Sequence, residues 1–253
     1  MIAPMGIMRP MGRRFRKTSS VDLLTGLVGH WRFDEGSGTS CTDASGNSLT
    51  GTHNGNPAYI TGKVGTHALD FDGVDDWVQV ADTNLLSFGN GTTDSPFTFA
   101  AWVRRAAGGA VHAIFSKTQS TAGSTPFEYQ FSLTSADKLS VTLYDNNGGV
   151  QRGKLSDNAY AGDVGAWTHY AVTYDGSSTT AGITLYRNGV AIAATATTAG
   201  SYVAMENSIG PFRIGNRWPS DATNKGPMNG DIDDPRVYSR VLTSVELAAL
   251  AAM

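Results

Sequence analysis

The stretch Trp167–Ala196, WTHYAVTYDGSSTTAGITLYRNGVAIAATA, alternates apolar and polar side chains in short runs broken by turn residues. Alternation of period two puts every second side chain on one face, so it specifies strands and is incompatible with a helical stripe. Within it, Asn188-Gly189 separates two alternating runs. Both residues tolerate positive φ, the requirement of a tight two-residue hairpin. The same grammar recurs in FTFAAWVRR (Phe97–Arg105) and in YQFSLTSADKLSVTLYDNNGG (Tyr129–Gly149), where a polar turn at Ser135–Lys138 divides two runs. Strands at this spacing, with no sustained helical period after Gly26, predict an all-β, two-sheet antiparallel sandwich. The 30 glycines fit that many turns. One segment departs from the pattern. In RVLTSVELAAL, Thr243 and Glu246 stand at capping-box spacing ahead of Leu247 and Leu250, which predicts a short C-terminal helix.

Charge divides the chain into two parts. Residues 1–20 hold five of the 19 basic residues (Arg9, Arg13, Arg14, Arg16 and Lys17) and none of the 22 acidic ones, so this arm is +5 and the remainder −8. Pro4, Gly6, Pro10 and Gly12 forbid a regular helix there. The basic cluster follows the apolar part, with no long apolar stretch or small-residue cleavage site after it, so the segment does not read as a secretory signal. No run approaches the length of a membrane-spanning helix. An acidic body is no nucleic-acid-binding domain. The chain therefore reads as an extended basic arm, residues 1–20, followed by one β domain, residues 21–253. The single cysteine, Cys41, allows no internal disulfide.

Four ordered segments carry a family resemblance: GLVGHWRFDEGSGTSCTDASGNSLTG (Gly26–Gly51), ALDFDGVDDWVQV (Ala68–Val80), the Trp167 segment, and IGNR followed by GDIDDPRVYSRVLTSVEL. The chain resembles the laminin-G-like, concanavalin A-like jelly rolls of bacteria and phages. The resemblance implies two antiparallel sheets packed face to face with the first and last strands side by side. It also implies one structural calcium where those ends meet, with Asp233 from GDIDDPRVY and Asp43 and Asn47 from DASGN as ligands, and Glu35 and Asp34 in reserve. Hard oxygen donors of this kind are what calcium takes. The alternative is that Asp43 and Asn47 are turn residues bonding local N–H groups, with Asp231 and Asp234 facing water. Pro235 stands where the family has an apolar strand residue, so the strand is expected to begin after it or lie at an edge. Asp70, Asp72, Asp75 and Asp76 read as a turn before a strand that begins at Trp77.

Glycosidases built on this sandwich need two carboxyl groups at a set spacing. The four glutamates, Glu35, Glu128, Glu206 and Glu246, are far apart in sequence, and no E-x-D-x-x-E pattern occurs. The expectation is a non-catalytic protein. Sugar sites pair an aromatic platform with side chains that satisfy hydroxyls. Two loops offer these: Asn216, Arg217 and Trp218 in GNRWPSDATNKG, and Tyr144, Asp145, Asn146 and Arg152 in LYDNNGGVQR. Trp31, Trp77, Trp102 and Trp167 lie in strand-like runs and are expected in the core. Two uses follow. One is a virion surface protein, such as a capsid decoration, held to a capsid or other virion protein by its basic arm in a symmetric assembly and meeting a cell-surface glycan outside. The other is a stand-alone carbohydrate-binding lectin module of a bacterial surface or secreted protein.

Overall fold

The computed structural model describes residues 21–119, 127–145, 149–217 and 226–253. Its strands run in chain order as β1 (Leu27–His30), β2 (Ser40–Cys41), β3 (Gly51–Asn54), β4 (Ala58–Thr61), β5 (His67–Asp72) and β6 (Trp77–Val80). Next come β7 (Phe97–Arg105), β8 (His112–Thr118), β9 (Phe127–Leu133), β10 (Leu139–Asp145), β11 (Val150–Ser156) and β12 (Thr168–Tyr174). The last are β13 (Ile183–Arg187), β14 (Val190–Ala191), β15 (Ala194–Ala199), β16 (Phe212–Ile214) and β17 (Asn229–Tyr238), before helix α1 (Ser244–Leu250). All pairings are antiparallel. One sheet has the order β14-β13-β12-β7-β17-β5-β4, with β1 also on β17, and the other β15-β11-β10-β9-β8-β16-β6-β3-β2. This is the two-sheet antiparallel sandwich that the alternating runs predict, in the jelly-roll form that the family resemblance implies.

The core lies between the sheets. The first contributes Phe97, Phe99, Ala101 and Val103 of β7 with Tyr170, Val172 and Tyr174 of β12. The second contributes Phe115, Tyr129, Phe131, Val141, Leu143, Phe212 and Ile214. Full burial of each large apolar side chain stabilises the sandwich by roughly 1.5–3 kcal/mol. Phe97 and Phe99 stack at 4.3 Å, and Trp31 stacks on Phe212 at 5.4 Å. Trp31 is in this core as expected. Trp102 is buried on the opposite, outward face of its sheet beside His169, while Trp77 and Trp167 are only half-buried.

A second apolar cluster covers part of that outward face. Ala100, Ala171 and Tyr238 of the sheet meet Leu242, Leu247 and Leu250, with Leu23 and Leu27 at its margin. Helix α1 packs there and starts at the predicted capping box: the Thr243 side chain accepts from the Glu246 amide while Glu246 accepts from the Thr243 amide. The Asn188-Gly189 turn has both φ values positive, 49° and 76°, and joins β13 to β14. The third run of that segment does not stay in one sheet. Val190–Ala191 pairs with β13, and Ala194–Ala199 crosses to the other sheet and pairs with β11.

Pro235 departs from its expectation. It lies inside β17, the most connected strand, which pairs with β7, β5 and β1. The register shifts between Asp233 and Arg236, and Asp234 adopts φ +51°. This bulge is where a residue without an N–H fits in mid-sheet, and the Pro235 carbonyl still accepts from the Trp31 amide at 3.1 Å.

Candidate functional site

The acidic run at the chain's end is buried, and each carboxylate has its own local partners. Asp231 pairs with Arg104 and lies opposite Asp70 in register; burial, with that neighbouring carboxyl, pushes it above the ordinary carboxylate range. Asp233 accepts from the amides of Lys63 (2.7 Å) and Val64 (2.8 Å) through Oδ2, while its buried Oδ1 has no partner. Burial outweighs those two bonds and pushes Asp233 up to about 7. Asp234 receives His30 Nε2 at 2.6 Å and Arg236 Nε at 2.9 Å. Burial alone would raise its pKa, but these two partners hold it below the usual range. Asp231 and Asp234 therefore do not face water.

At the other end, Asp43 organises a turn. Oδ1 accepts from the amides of His30 (3.0 Å) and Ser45 (2.8 Å), and Oδ2 from Ser45 Oγ (2.7 Å) and the Leu49 amide (3.0 Å). Asn47 Nδ2 donates to the Val28 carbonyl at 2.8 Å. N–H and O–H donors thus already surround Asp43, and Asp233 is held by a different loop, so the three residues implied as calcium ligands do not form a donor set that fits the ion. Both carboxylates act instead as hydrogen-bond acceptors that fix local backbone. Of the reserve carboxylates, Asp34 accepts from the Thr66 and His67 amides, and Glu35 from the Thr42 amide.

Among the described residues, Asp72, Asp75 and Asp76 bring carboxylate oxygens within 4.8 Å of one another. They line a cleft of about 490 Å³ with Asn56, Ala58 and Asp70. The group is the β5–β6 turn foreseen from sequence: Asp76 accepts from the Asn56 and Asp72 amides, and Asp72 from those of Val74 and Asp75.

The outward face of the second sheet is a different environment. Register fixes which side chains share it. Gln79, Arg213, Ser116, Gln130 and Thr142 are successive cross-strand partners, each adjacent in sequence to residues of the core. Tyr144 follows two residues after Thr142 and meets Phe127 ring to ring at 5.0 Å. The bulge opposite Lys117 and Thr118 turns Phe127 outward and leaves Glu128 beside buried Lys117 at 2.7 Å. Tyr144 Oη contacts Gln130 Oε1 at 3.5 Å, and Gln130 Nε2 donates to Ser132 Oγ at 3.0 Å.

One short segment folds over this face. Gly215, with φ +86°, turns the chain so that the Asn216 carbonyl accepts from Ser116 Oγ (2.8 Å) and the Arg217 carbonyl from Thr118 Oγ1 (3.4 Å). The charge of Arg217 also acts on the Tyr144 phenol, partly offsetting the rise that burial imposes on it. The Asn216 side chain is 0% exposed, yet neither Oδ1 nor Nδ2 has a partner. A carboxamide in that state carries unused donors and an unused acceptor, the means by which a protein reads hydroxyl groups.

The structure thus brings together Tyr144, Asn216 and Arg217 from the sequence-based set and separates Asp145 and Arg152 from them. Asp145 accepts from the Val203 amide at 2.7 Å. Arg152 is in register with core residue Leu143, so it lies on the inner side of the sheet at its rim, over the Tyr202 ring at 5.4 Å. Trp218, Asn146 and the arm residues Arg9, Arg13, Arg14, Arg16 and Lys17 lie outside the described residues. Sequence reading missed Phe127, Gln130 and Arg213; strand alternation was their only signal, and the bulge at Phe127 inverts it.

Two antiparallel sheets, a jelly-roll order and a polar outward face define the concanavalin A-like class of sandwiches. The family model for the concanavalin A-like lectin/glucanases superfamily matches residues 71–248, and the chain belongs to that superfamily. Among solved structures, the binding domain of Paraclostridial Mosquitocidal Protein 1 is similar with a TM-score of 0.66 and 15% identity, over 91% of this chain and 52% of that one. The botulinum neurotoxin serotype G binding domain gives 0.64 and 13%, over 89% and 50%. Domain 4 of AbnA, a GH43 extracellular arabinanase from Geobacillus stearothermophilus solved with arabinotriose, gives 0.56 and 23%, over 89% and 98%. The chain spans about half the length of the toxin domains and nearly all of the arabinanase domain. Comparison with curated proteins gives no match.

Proposed function

We propose that this protein is a non-catalytic recognition module that binds a glycan on the outward face of its second sheet. The observation that carries the reading is the buried, unpartnered carboxamide of Asn216, in the segment whose backbone carbonyls accept from Ser116 and Thr118 on that face. Phe127 and Tyr144 form a buried aromatic pair on this face, and the amide and guanidinium groups supply hydroxyl partners. Sandwiches of the same fold are binding domains in the toxins and were solved with arabinotriose in the arabinanase, which supports a binding role. On the catalytic side, Asp231 is taken up by its ion pair with Arg104, which supports the non-catalytic reading.

A glycan array followed by calorimetry on hits tests the proposal. Asn216→Ala and Tyr144→Ala are expected to weaken binding by about tenfold or more, the value of one or two hydrogen bonds in a dry site. A flat array, or hydrolysis of a bound polysaccharide, sinks it. Attachment to a virion or other symmetric assembly is a separate proposal supported by the +5 charge of residues 1–20. Co-sedimentation with capsids, with and without those residues, tests it; unchanged attachment on deletion refutes it. No helix among the described residues is long and apolar enough to cross a membrane.

A further inference from the structure

Four cationic side chains of the described residues are buried, and three of them have carboxylate partners. Arg105 pairs with Asp137, Lys117 with Asp82 and Glu128, and Arg236 with Asp234. The fourth, Arg213, is 3% exposed and has no carboxylate partner among the described residues. Its Nη1 donates to the Thr118 carbonyl at 3.1 Å and to Thr118 Oγ1 at 2.9 Å. Nε is buried without a partner, and among the described residues Nη2 has no hydrogen-bond partner. Burial alone lowers its pKa to about 10, since no neighbouring charge offsets the loss of water.

An unpaired buried cation is costly, and a protein of net charge −3 has carboxylates to spare for it. The contrast with the other three is therefore informative. The unused part of Arg213 is also specific. Nε and Nη2 form the edge of the guanidinium whose two parallel N–H bonds match a carboxylate or sulfate. Arg213 shares its row with Ser116, its register partner, and Ser116 Oγ holds the Asn216 carbonyl. The free cationic edge and the Asn216 backbone thus meet the same row of side chains.

We infer that the ligand of this face carries an anionic oxygen group, the carboxylate or sulfate of an acidic sugar, and that it docks on the Nε–Nη2 edge of Arg213 while Asn216 reads an adjoining hydroxyl. The inference deepens the glycan-binding reading and rests on it. The Arg213 contact selects the charge; the aromatic pair and Asn216 select the sugar.

The test compares oligogalacturonate, a sulfated oligogalactose and neutral oligogalactose on the whole chain, by calorimetry and by the shift in melting temperature. Acidic probes are expected to bind about tenfold or more tightly than the neutral one and to raise the melting temperature further. The two acidic arms separate carboxylate from sulfate. Arg213→Gln, which keeps a donor for Thr118, is expected to remove that advantage, bringing the ratio of acidic to neutral affinity to about one. Neutral probes binding as well as acidic ones would overturn the inference while leaving the glycan reading intact. Binding of no probe and a flat array would end both. If Arg213→Gln does not fold, the wild-type comparison of charged with neutral probes still decides. Unchanged acidic affinity in a folded Arg213→Gln, with a lowered melting temperature, would make Arg213 structural and refute the assignment.

Discussion

Asp233, Trp102 and His169 lie in one row across β17, β7 and β12, and the two outer members titrate in opposite senses. Burial raises Asp233 to about 7 and lowers His169 to about 4. In the unfolded chain these groups titrate near ~3.9 and ~6.5. Between about pH 4 and 7, native Asp233 holds a proton that the unfolded chain has released. Its contribution therefore makes stability fall as pH rises, by up to about 4 kcal/mol for a three-unit difference. His169 works the other way: between about pH 4 and 6.5 the unfolded chain holds the extra proton, so stability rises with pH by up to about 3 kcal/mol. In the wild type the two nearly cancel. Asp233→Asn removes one and keeps an oxygen for the Lys63 and Val64 amides. Urea unfolding at fixed ionic strength should find the variant equal to wild type near pH 4 and more stable by up to about 4 kcal/mol at pH 8. His53 and His112, which burial also lowers, are common to both proteins and drop out of the difference. A difference that is constant across this range would refute the reasoning.

Three further outcomes are expected. Asp43→Ala should cost about 2–4 kcal/mol, because four donors lose their acceptor, while calcium chelation leaves the wild-type melting temperature unchanged; a fall on chelation, restored by calcium, contradicts this. Thr243→Ala should cost about 1 kcal/mol in urea titrations through loss of the helix cap, and no change would show that α1 is held by packing alone. Gly215→Ala forces a side chain onto φ +86° with its Cβ 2.8 Å from the Phe71 ring. It should cost about 1–3 kcal/mol and weaken glycan binding, since that turn lays Asn216 over the sheet; intact affinity in a folded variant argues against this placement of the site.

The sandwich was legible because alternation is a local property: FTFAAWVRR and WTHYAVTY each declare which residues face inward, and Asn188-Gly189 declares its turn. Pro235 was not, because a bulge is a relation between strands far apart in sequence, and the same is true of the extra residue that turns Phe127 outward. Tyr144, Asn216 and Arg217 were found as loop residues of suitable chemistry. Asp145 and Arg152 were grouped with Tyr144 by proximity in sequence, yet one step along a strand reverses the face. Arg213 gave no signal at all, since an arginine between Phe212 and Ile214 reads as a surface residue until the absence of a carboxylate beside it is seen. The acidic run was noticed for its charge, but its partners His30, Lys63 and Arg104 lie up to 204 residues away.

The pairing of β1 with β17 has an engineering corollary. Arg240 donates to the carbonyls of Asp22 and Thr25, and Leu23 packs in the same cluster as Leu247 and Leu250. A brief flexible tether from Met253 to Val21 should therefore yield a circular permutant when the backbone is reopened at an exposed hairpin tip such as Ser135–Ala136. Passenger proteins would then be carried at the reopened tip, leaving the β1–β17 seam intact.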